Sequence, residues 1–167
     1  TKGISVIDAD TAINWGMSGP ILRASGIPMD VRKDDPYSIY DRFEFGIPVG
    51  ENGDCWDRYY VRVEEMRQSM KIIEQGLATM PDGPTITPTR LVLRPPAGEV
   101  YVRGENPRGE IGVYLVSNGA DRPYRIKVRP PSFCNLMGLR ELLKGTYVAD
   151  AVVILGSLDI VLGEGDR

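Results

Sequence analysis

The chain has 167 residues, 20 Lys plus Arg against 23 Asp plus Glu, a net charge of −3, and 42% hydrophobic residues. That is long enough to hide about 70% of the unfolded surface without disulfide staples, globular rather than low-complexity in composition, and mildly acidic, which argues against a nucleic-acid partner. The absence of His excludes Ser-His-Asp and Cys-His catalysis and any His-ligated zinc site, and Cys55 and Cys134, with no C-x-x-C partner, fit free cytoplasmic thiols rather than a zinc or cluster motif.

The chain opens abruptly on Thr1-Lys2-Gly3-Ile4, as expected of a fragment of a longer polypeptide. No charged leader with an apolar stretch begins it, and no run approaches the ~20 apolar residues of a membrane span. Asp8 or Asp10 is placed to cap a short helix ending near Asn14-Trp15-Gly16, with Gly16 in the left-handed position. The glycines and prolines of residues 16–54 predict ordered loop interrupted by short elements.

The clearest element is a helix over about 54–80, with Asp54 as N-cap and Asp57 at the positive end of the helix dipole. Tyr59, Val63, Met66, Met70, Ile73, Leu77 and Met80 step by three and four, which predicts a buried stripe in a helical bundle. Arg58, Arg62, Glu65, Arg67 and Lys71 are assigned to its polar surface, and Pro81 and Pro84 end it. The period then changes to two. Three strands within about 98–129, separated by turns at Glu105-Asn106-Pro107-Arg108-Gly109 and Asn118-Gly119, predict an antiparallel meander with a basic face of Arg125, Lys127 and Arg129. Ser132 is the expected cap of a helix running through Leu136, Leu139, Leu142 and Leu143 to Gly145, which opens a C-terminal helical segment and tail over 132–167. Residues 146–156 fit a helix or a buried strand equally well. The fold class is α+β in a single domain over 1–167, with a helical bundle core and a small antiparallel β-meander. No nucleophile with a base and no metal-ligand cluster assembles from the residues alone.

Several stretches carry a resemblance. They are Ser18-Gly19-Pro20-Ile21-Leu22-Arg23-Ala24-Ser25-Gly26; Gly53-Asp54-Cys55-Trp56-Asp57-Arg58-Tyr59 with Arg62-Val63-Glu64-Glu65-Met66; Glu105-Asn106-Pro107-Arg108-Gly109-Glu110; Arg122-Pro123-Tyr124-Arg125-Ile126-Lys127-Val128-Arg129; and Gly156-Ser157-Leu158-Asp159-Ile160-Val161 through Asp166-Arg167. Over essentially its whole length the chain resembles the C-terminal portion of the 49-kDa, or D, subunit of respiratory complex I, the proton-pumping NADH:quinone oxidoreductase. That family is itself similar to the nickel-iron hydrogenase large subunit, so the resemblance implies a hydrogenase-like fold.

The resemblance also implies a peripheral location on the cytoplasmic side of the bacterial inner membrane. Quinone is the implied substrate; NADH and iron-sulfur clusters belong to the whole complex, and this chain holds no cofactor. The implied partners are the cluster-bearing and other peripheral-arm subunits and the membrane-arm subunit at the quinone cavity. Laid on the hydrogenase pattern Asp-Pro-Cys-x-x-Cys, Asp159 keeps the aspartate while Val161 and Glu164 stand where the cysteines hold nickel. Valine cannot ligate a metal, and a lone carboxylate is a poor substitute for two soft thiolates, so no metal is expected.

Asp159, Val161, Glu164 and Arg167 are the implied quinone-cavity residues, and Arg23 is the candidate cation near the cluster, with an arginine bonded to carbonyls as the competing reading. Gly165 replaces the valine usual in the family's ending. The family's His and Tyr credited with binding the quinone head group lie in the part preceding this chain. A scaffold or assembly role and a hydrogenase-type subunit are the alternatives.

Overall fold

A computed structural model of the protein describes residues 1–88 and 92–166. Helix α1 (Ala9–Asn14) is capped by Asp8, whose carboxylate accepts the Thr11 amide at 2.8 Å, and Gly16 then turns the chain at φ +65°. Short helices α2 (Pro20–Ala24) and α3 (Val31–Asp34) and a single 3-10 turn (Tyr40–Arg42) punctuate the loop that follows. The long helix α4 (Cys55–Ala78) starts at a doubly fastened corner. Asp54 accepts the Asp57 amide at 2.9 Å and the Gly3 amide at 2.7 Å, while Asp57 accepts the amides of Glu51 and Asn52 at 2.9 and 2.6 Å. The two carboxylates thus satisfy one of the helix's free N–H groups and tie the N-terminal segment and the preceding loop to it.

The expected burial of α4 fails at its stripe and at Arg58, while Arg67 and Lys71 are exposed as expected. Tyr59, Met66, Met70, Ile73, Leu77 and Met80 are 56–67% exposed, whereas Arg58, assigned to the polar surface, is fully buried. The inward face carries Cys55, Asp57, Arg58 and Val61, and continues through the half-buried Arg62 and Glu65. Most of these polar groups are tolerated because they find partners nearby, Asp57 the loop amides, Arg58 the Gly53 and Ser5 carbonyls and Glu65 the Arg23 guanidinium, which offsets their desolvation.

Strands β1 (Gly98–Asn106), β2 (Gly109–Ser117) and β3 (Arg125–Arg129) form an antiparallel sheet in the order β1-β2-β3, with Asn106 opposite Gly109 and Val113 between Val102 and Val128. With the helices this makes an α+β fold. Val100, Val102 and Ile126 on this sheet are half or more exposed. The turn before Gly109 meets the start of α2 closely: a side chain at Gly19 would lie 2.5 Å from the Arg108 carbonyl, and Gly19 sits at φ +68°. Only glycine lets the two backbones approach this far.

Two expectations for the C-terminal segment are corrected. Ser132 does not cap a helix: Pro130 is the N-cap of α5 (Pro131–Met137), and Pro131 occupies the first turn, where its missing N–H costs nothing. Nor does one helix reach Gly145, because it breaks at Gly138, where a Cβ would collide with Met17, and resumes as α6 (Leu139–Leu142). The apolar segment that sequence left ambiguous is helical, a 3-10 turn (Val148–Asp150) leading into α7 (Ala151–Leu158), with α8 (Leu162–Gly165) after it. Ile7, Ala12, Met17, Ile21, Leu22, Cys55, Leu142, Ile154 and Leu158 form the core between these helices.

Burial alone would raise the Asp54 carboxyl, but the Gly3 and Asp57 amides and the Arg58 cation outweigh it and hold it below its ordinary value. Its contribution is therefore complete above the unfolded value of about 4 and is lost as pH falls through the lower folded value. Asp54→Ala is expected to cost about 1–2 kcal/mol and to flatten the acid limb of stability against pH, both read by thermal denaturation from pH 3 to 7; an unchanged midpoint would refute the capping role.

Candidate functional site

The most heavily constrained part of the molecule is a buried guanidinium. Arg23 lies on α2 rather than in a loop, only 2% exposed. Its Nε donates to Glu65 of α4 at 2.6 Å, and Nη1 donates to Glu105 of β1 at 2.9 Å and to the Met29 carbonyl at 2.8 Å. Glu105 also accepts the Val31 amide at 3.1 Å. Burial pulls Arg23 down, but the two carboxylates more than compensate and raise it above its ordinary value. At Glu65 and Glu105, which share this one cation, burial prevails over its pull and both carboxyls are pushed up. Arg23 is thus a carboxylate-paired arginine with one carbonyl partner.

The second focus is the end of α7. Asp159 closes that helix in the left-handed conformation, φ 54° and ψ 52°, and is 46% exposed. Aspartate tolerates this region better than most residues. Arg108, from the β1–β2 turn, donates through Nε to the Asp159 carbonyl at 2.9 Å and through Nη2 to its carboxylate at 3.3 Å. Arg62 of α4 approaches the other carboxylate oxygen to 3.9 Å through Nε. Its Nη1 donates to the Arg58 carbonyl at 2.7 Å, and Nε is buried without a hydrogen bond among the described residues. Burial pushes the Arg62 guanidinium down, with Asp159 pulling the other way.

Two cavities meet at Arg62, Met66 and Asp159. One, of about 750 Å³, has an apolar wall of Trp56, Tyr59, Val63, Met66 and Val153. The other, of about 510 Å³, is charged, with Arg23, Arg32, Glu65, Glu105 and Arg108 along it. An apolar chamber with a few convergent polar groups on one side is the usual form of a site for a small apolar ligand.

Of the residues singled out in the tail, Asp159 borders both cavities. Val161 and Glu164 turn elsewhere. The Val161 amide donates to the Ser132 hydroxyl at 3.3 Å, and Glu164 accepts from Asn106 Nδ2 at 2.7 Å, from the Ser132 amide at 3.3 Å and from the Ser132 hydroxyl. Glu164 thereby ties α8 to α5 and to the hairpin. Arg167 lies outside the described residues. Sequence reasoning missed Arg62 and Arg108 as members of the site. The available signal was that Arg58, Arg62 and Glu65 share one face at i, i+4 and i+7, the spacing of a buried stripe. Among the described residues, no group of three or more Cys, Asp or Glu side chains is arranged to hold a metal, and no helix is long and apolar enough to cross a membrane.

The profile of a family described as the respiratory-chain NADH dehydrogenase 49-kDa subunit matches residues 1–95 and 88–167. The D subunit of the NADH-quinone oxidoreductase from Dehalococcoides mccartyi is 54% identical over 167 residues, covering 100% of this chain and 46% of the relative. The proteins of the same name from Carboxydothermus hydrogenoformans and Bacillus mycoides are 53% and 51% identical over 166 residues, covering 99% of this chain and 46% and 45% of theirs. The chain spans about half the length of the curated relatives it matches.

Truncating Arg23 strands two buried carboxylates. Arg23→Ala is expected to lower stability by about 3–5 kcal/mol, seen as a lower urea midpoint, and Arg23→Lys by less, since it keeps the charge but not the fork. Equal losses for both variants would show that packing of the stem, not the ion network, is what matters.

Proposed function

This chain belongs to the family of the respiratory-chain NADH dehydrogenase 49-kDa subunit, and from that premise we propose that it is the C-terminal portion of an NADH:quinone oxidoreductase subunit that forms part of the quinone cavity. The observation that carries the proposal is the apolar chamber bordered by Asp159, found in a chain whose whole length matches the family. Trp56, Tyr59, Val63 and Met66 suit the ring and the beginning of an apolar tail, and Asp159 with Arg62 and Arg108 supplies the polar edge that orients a carbonyl.

The quinone takes two electrons and two protons to become hydroquinone. We assign the electrons to a reduced iron-sulfur cluster on a neighbouring subunit and NADH to a distant part of the complex, with this chain holding no cofactor. Asp159, Val161, Glu164 and Arg167 are the proposed cavity residues, Val161 and Glu164 acting through the placement of the tail on α5 and the hairpin. Arg23 is proposed to set the electrostatics beside the cluster through its carboxylates. The hydrogenase-like fold extends to this chain in the same proposal, without the metal: the positions of the two thiolates hold Val161 and a Glu164 carboxylate already engaged by Ser132 and Asn106, a donor set that does not fit nickel. The complex would translocate protons from a peripheral position on the cytoplasmic side of the bacterial inner membrane. Its cluster-bearing and other peripheral-arm subunits, and a membrane-arm subunit at the cavity mouth, would be the partners.

A second reading, a module that only packs and orients its neighbours, is favoured by the exposed apolar stripe of α4. Such a stripe on a long helix is the seam of a helix bundle, and we propose that the remainder of the longer subunit covers it.

The two readings separate by experiment. In the assembled complex Asp159→Asn is expected to lower quinone reduction per assembled complex by about tenfold, equivalent to about 1.4 kcal/mol of barrier, and Val161→Met to alter inhibitor sensitivity. Normal turnover and normal inhibitor sensitivity in both would move the tail to the scaffold. Ile73→Asp in the full-length subunit is expected to reduce the amount of assembled complex while leaving turnover per complex unchanged; undiminished assembly would show that the stripe has no partner.

A further inference from the structure

We infer that Arg62 and Arg108 are positioning residues for Asp159, a two-arginine clamp that holds its carboxylate at the edge shared by the apolar chamber and the charged cleft. The inference rests on the reading of Asp159 as a quinone-cavity residue and adds the means by which it is held.

The geometry comes from three separate elements. Asp159 ends α7 in the left-handed conformation, so its carbonyl and its carboxylate reach the same guanidinium, and Arg108 binds both, at 2.9 and 3.3 Å. A single arginine engaging carbonyl and carboxylate together fixes the backbone turn as well as the side chain, because leaving that turn would break both bonds. Arg108 is held in its turn: its carbonyl accepts Asn135 Nδ2 at 3.1 Å and lies against Gly19. Arg62 faces the second carboxylate oxygen. Its own orientation is set one helical turn back, where Nη1 donates to the Arg58 carbonyl at 2.7 Å, and the buried Nε at 3.9 Å from Asp159 Oδ2 has no hydrogen bond among the described residues. A buried donor with no acceptor makes a small displacement of the carboxylate toward Arg62 favourable. The carboxylate therefore sits between a made contact on the turn and an unmade one on α4. The other carboxylates along the cleft, Glu65 and Glu105, are paired with Arg23, and Arg32 is paired with Asp30, which leaves Asp159 as the carboxylate that Arg62 and Arg108 share.

A clamp acts through Asp159, so the part of its effect that passes through the carboxylate is lost in Asp159→Asn, while the Arg108 bond to the Asp159 carbonyl remains. Arg62→Gln, Arg108→Gln and Asp159→Asn, singly and as the two arginine-aspartate doubles, would be made in the full-length subunit of the intact complex. Kinetics with decylubiquinone would be normalised to assembled complex. Each arginine variant is expected to lower kcat by about threefold to tenfold with a smaller change in KM; in the Asp159→Asn background Arg62→Gln is expected to add nothing and Arg108→Gln less than its effect alone. Arg108→Lys should recover part of the loss, since it keeps one donor. If Asp159→Asn impairs turnover while the arginine variants are silent or simply multiply its loss, the clamp is overturned and the quinone-cavity reading stands. If Asp159→Asn and both arginine variants turn over normally, both fall.

Discussion

The buried guanidinium of Arg23 is the constraint around which the rest is arranged. It draws α2, α4 and β1 together through Glu65 and Glu105 and fixes the loop at Met29. A cation removed from water is acceptable only where its partners are already in place, so the three elements are held in one relation or the cluster fails as a whole. The same relation sets the distance between α4 and the β1–β2 turn, and hence where Arg62 and Arg108 stand relative to Asp159. The charged cleft is the open side of this network.

The outward-facing stripe of α4 follows from it. A helix that must present Glu65 to Arg23, Arg62 toward Asp159, and Arg58 to the carbonyls of Gly53 and Ser5 cannot also turn its methionine and isoleucine stripe inward. The stripe is left facing outward beside an apolar chamber whose wall shares Tyr59, Val63 and Met66 with the same helix. This suits a chain that matches about half the length of its relatives. The helix carries two interfaces, a polar one within the chain and an apolar one proposed for the remainder of the subunit.

The β1–β2 hairpin connects these parts at its tip. Asn106 donates to Glu164, Arg108 grips Asp159, and Gly109 presses against the start of α2. The tail, the hairpin and the loop before α2 are thus joined at one corner by groups only a few residues apart in sequence. Glu164 serves that corner as a tether through Ser132 and Asn106, whereas Asp159, five residues earlier, faces the two cavities.

Much of the local structure was legible because it depends on local chemistry: Asp8 and Asp54 as caps, Gly16 as a left-handed stop, the meander and its turns. Family membership was legible because long runs such as Gly53–Tyr59 and Gly156–Val161 survive as text. Ser132 misled, since a hydroxyl ahead of an apolar run looks like a cap until Glu164, 32 residues away, claims it. The stripe of α4 misled for a larger reason. Periodicity shows that one face is apolar, not what covers it, and a buried polar face is possible when distant residues supply the counter-charges. The sequence by itself determined the long helix, the meander, the family and the absence of histidine chemistry. Tertiary structure alone decided which face of α4 is buried and that Arg62, Arg108 and Asp159 meet, because those outcomes rest on ion pairs between residues 42 to 97 positions apart, whose mutual attraction exists only once the chain has folded.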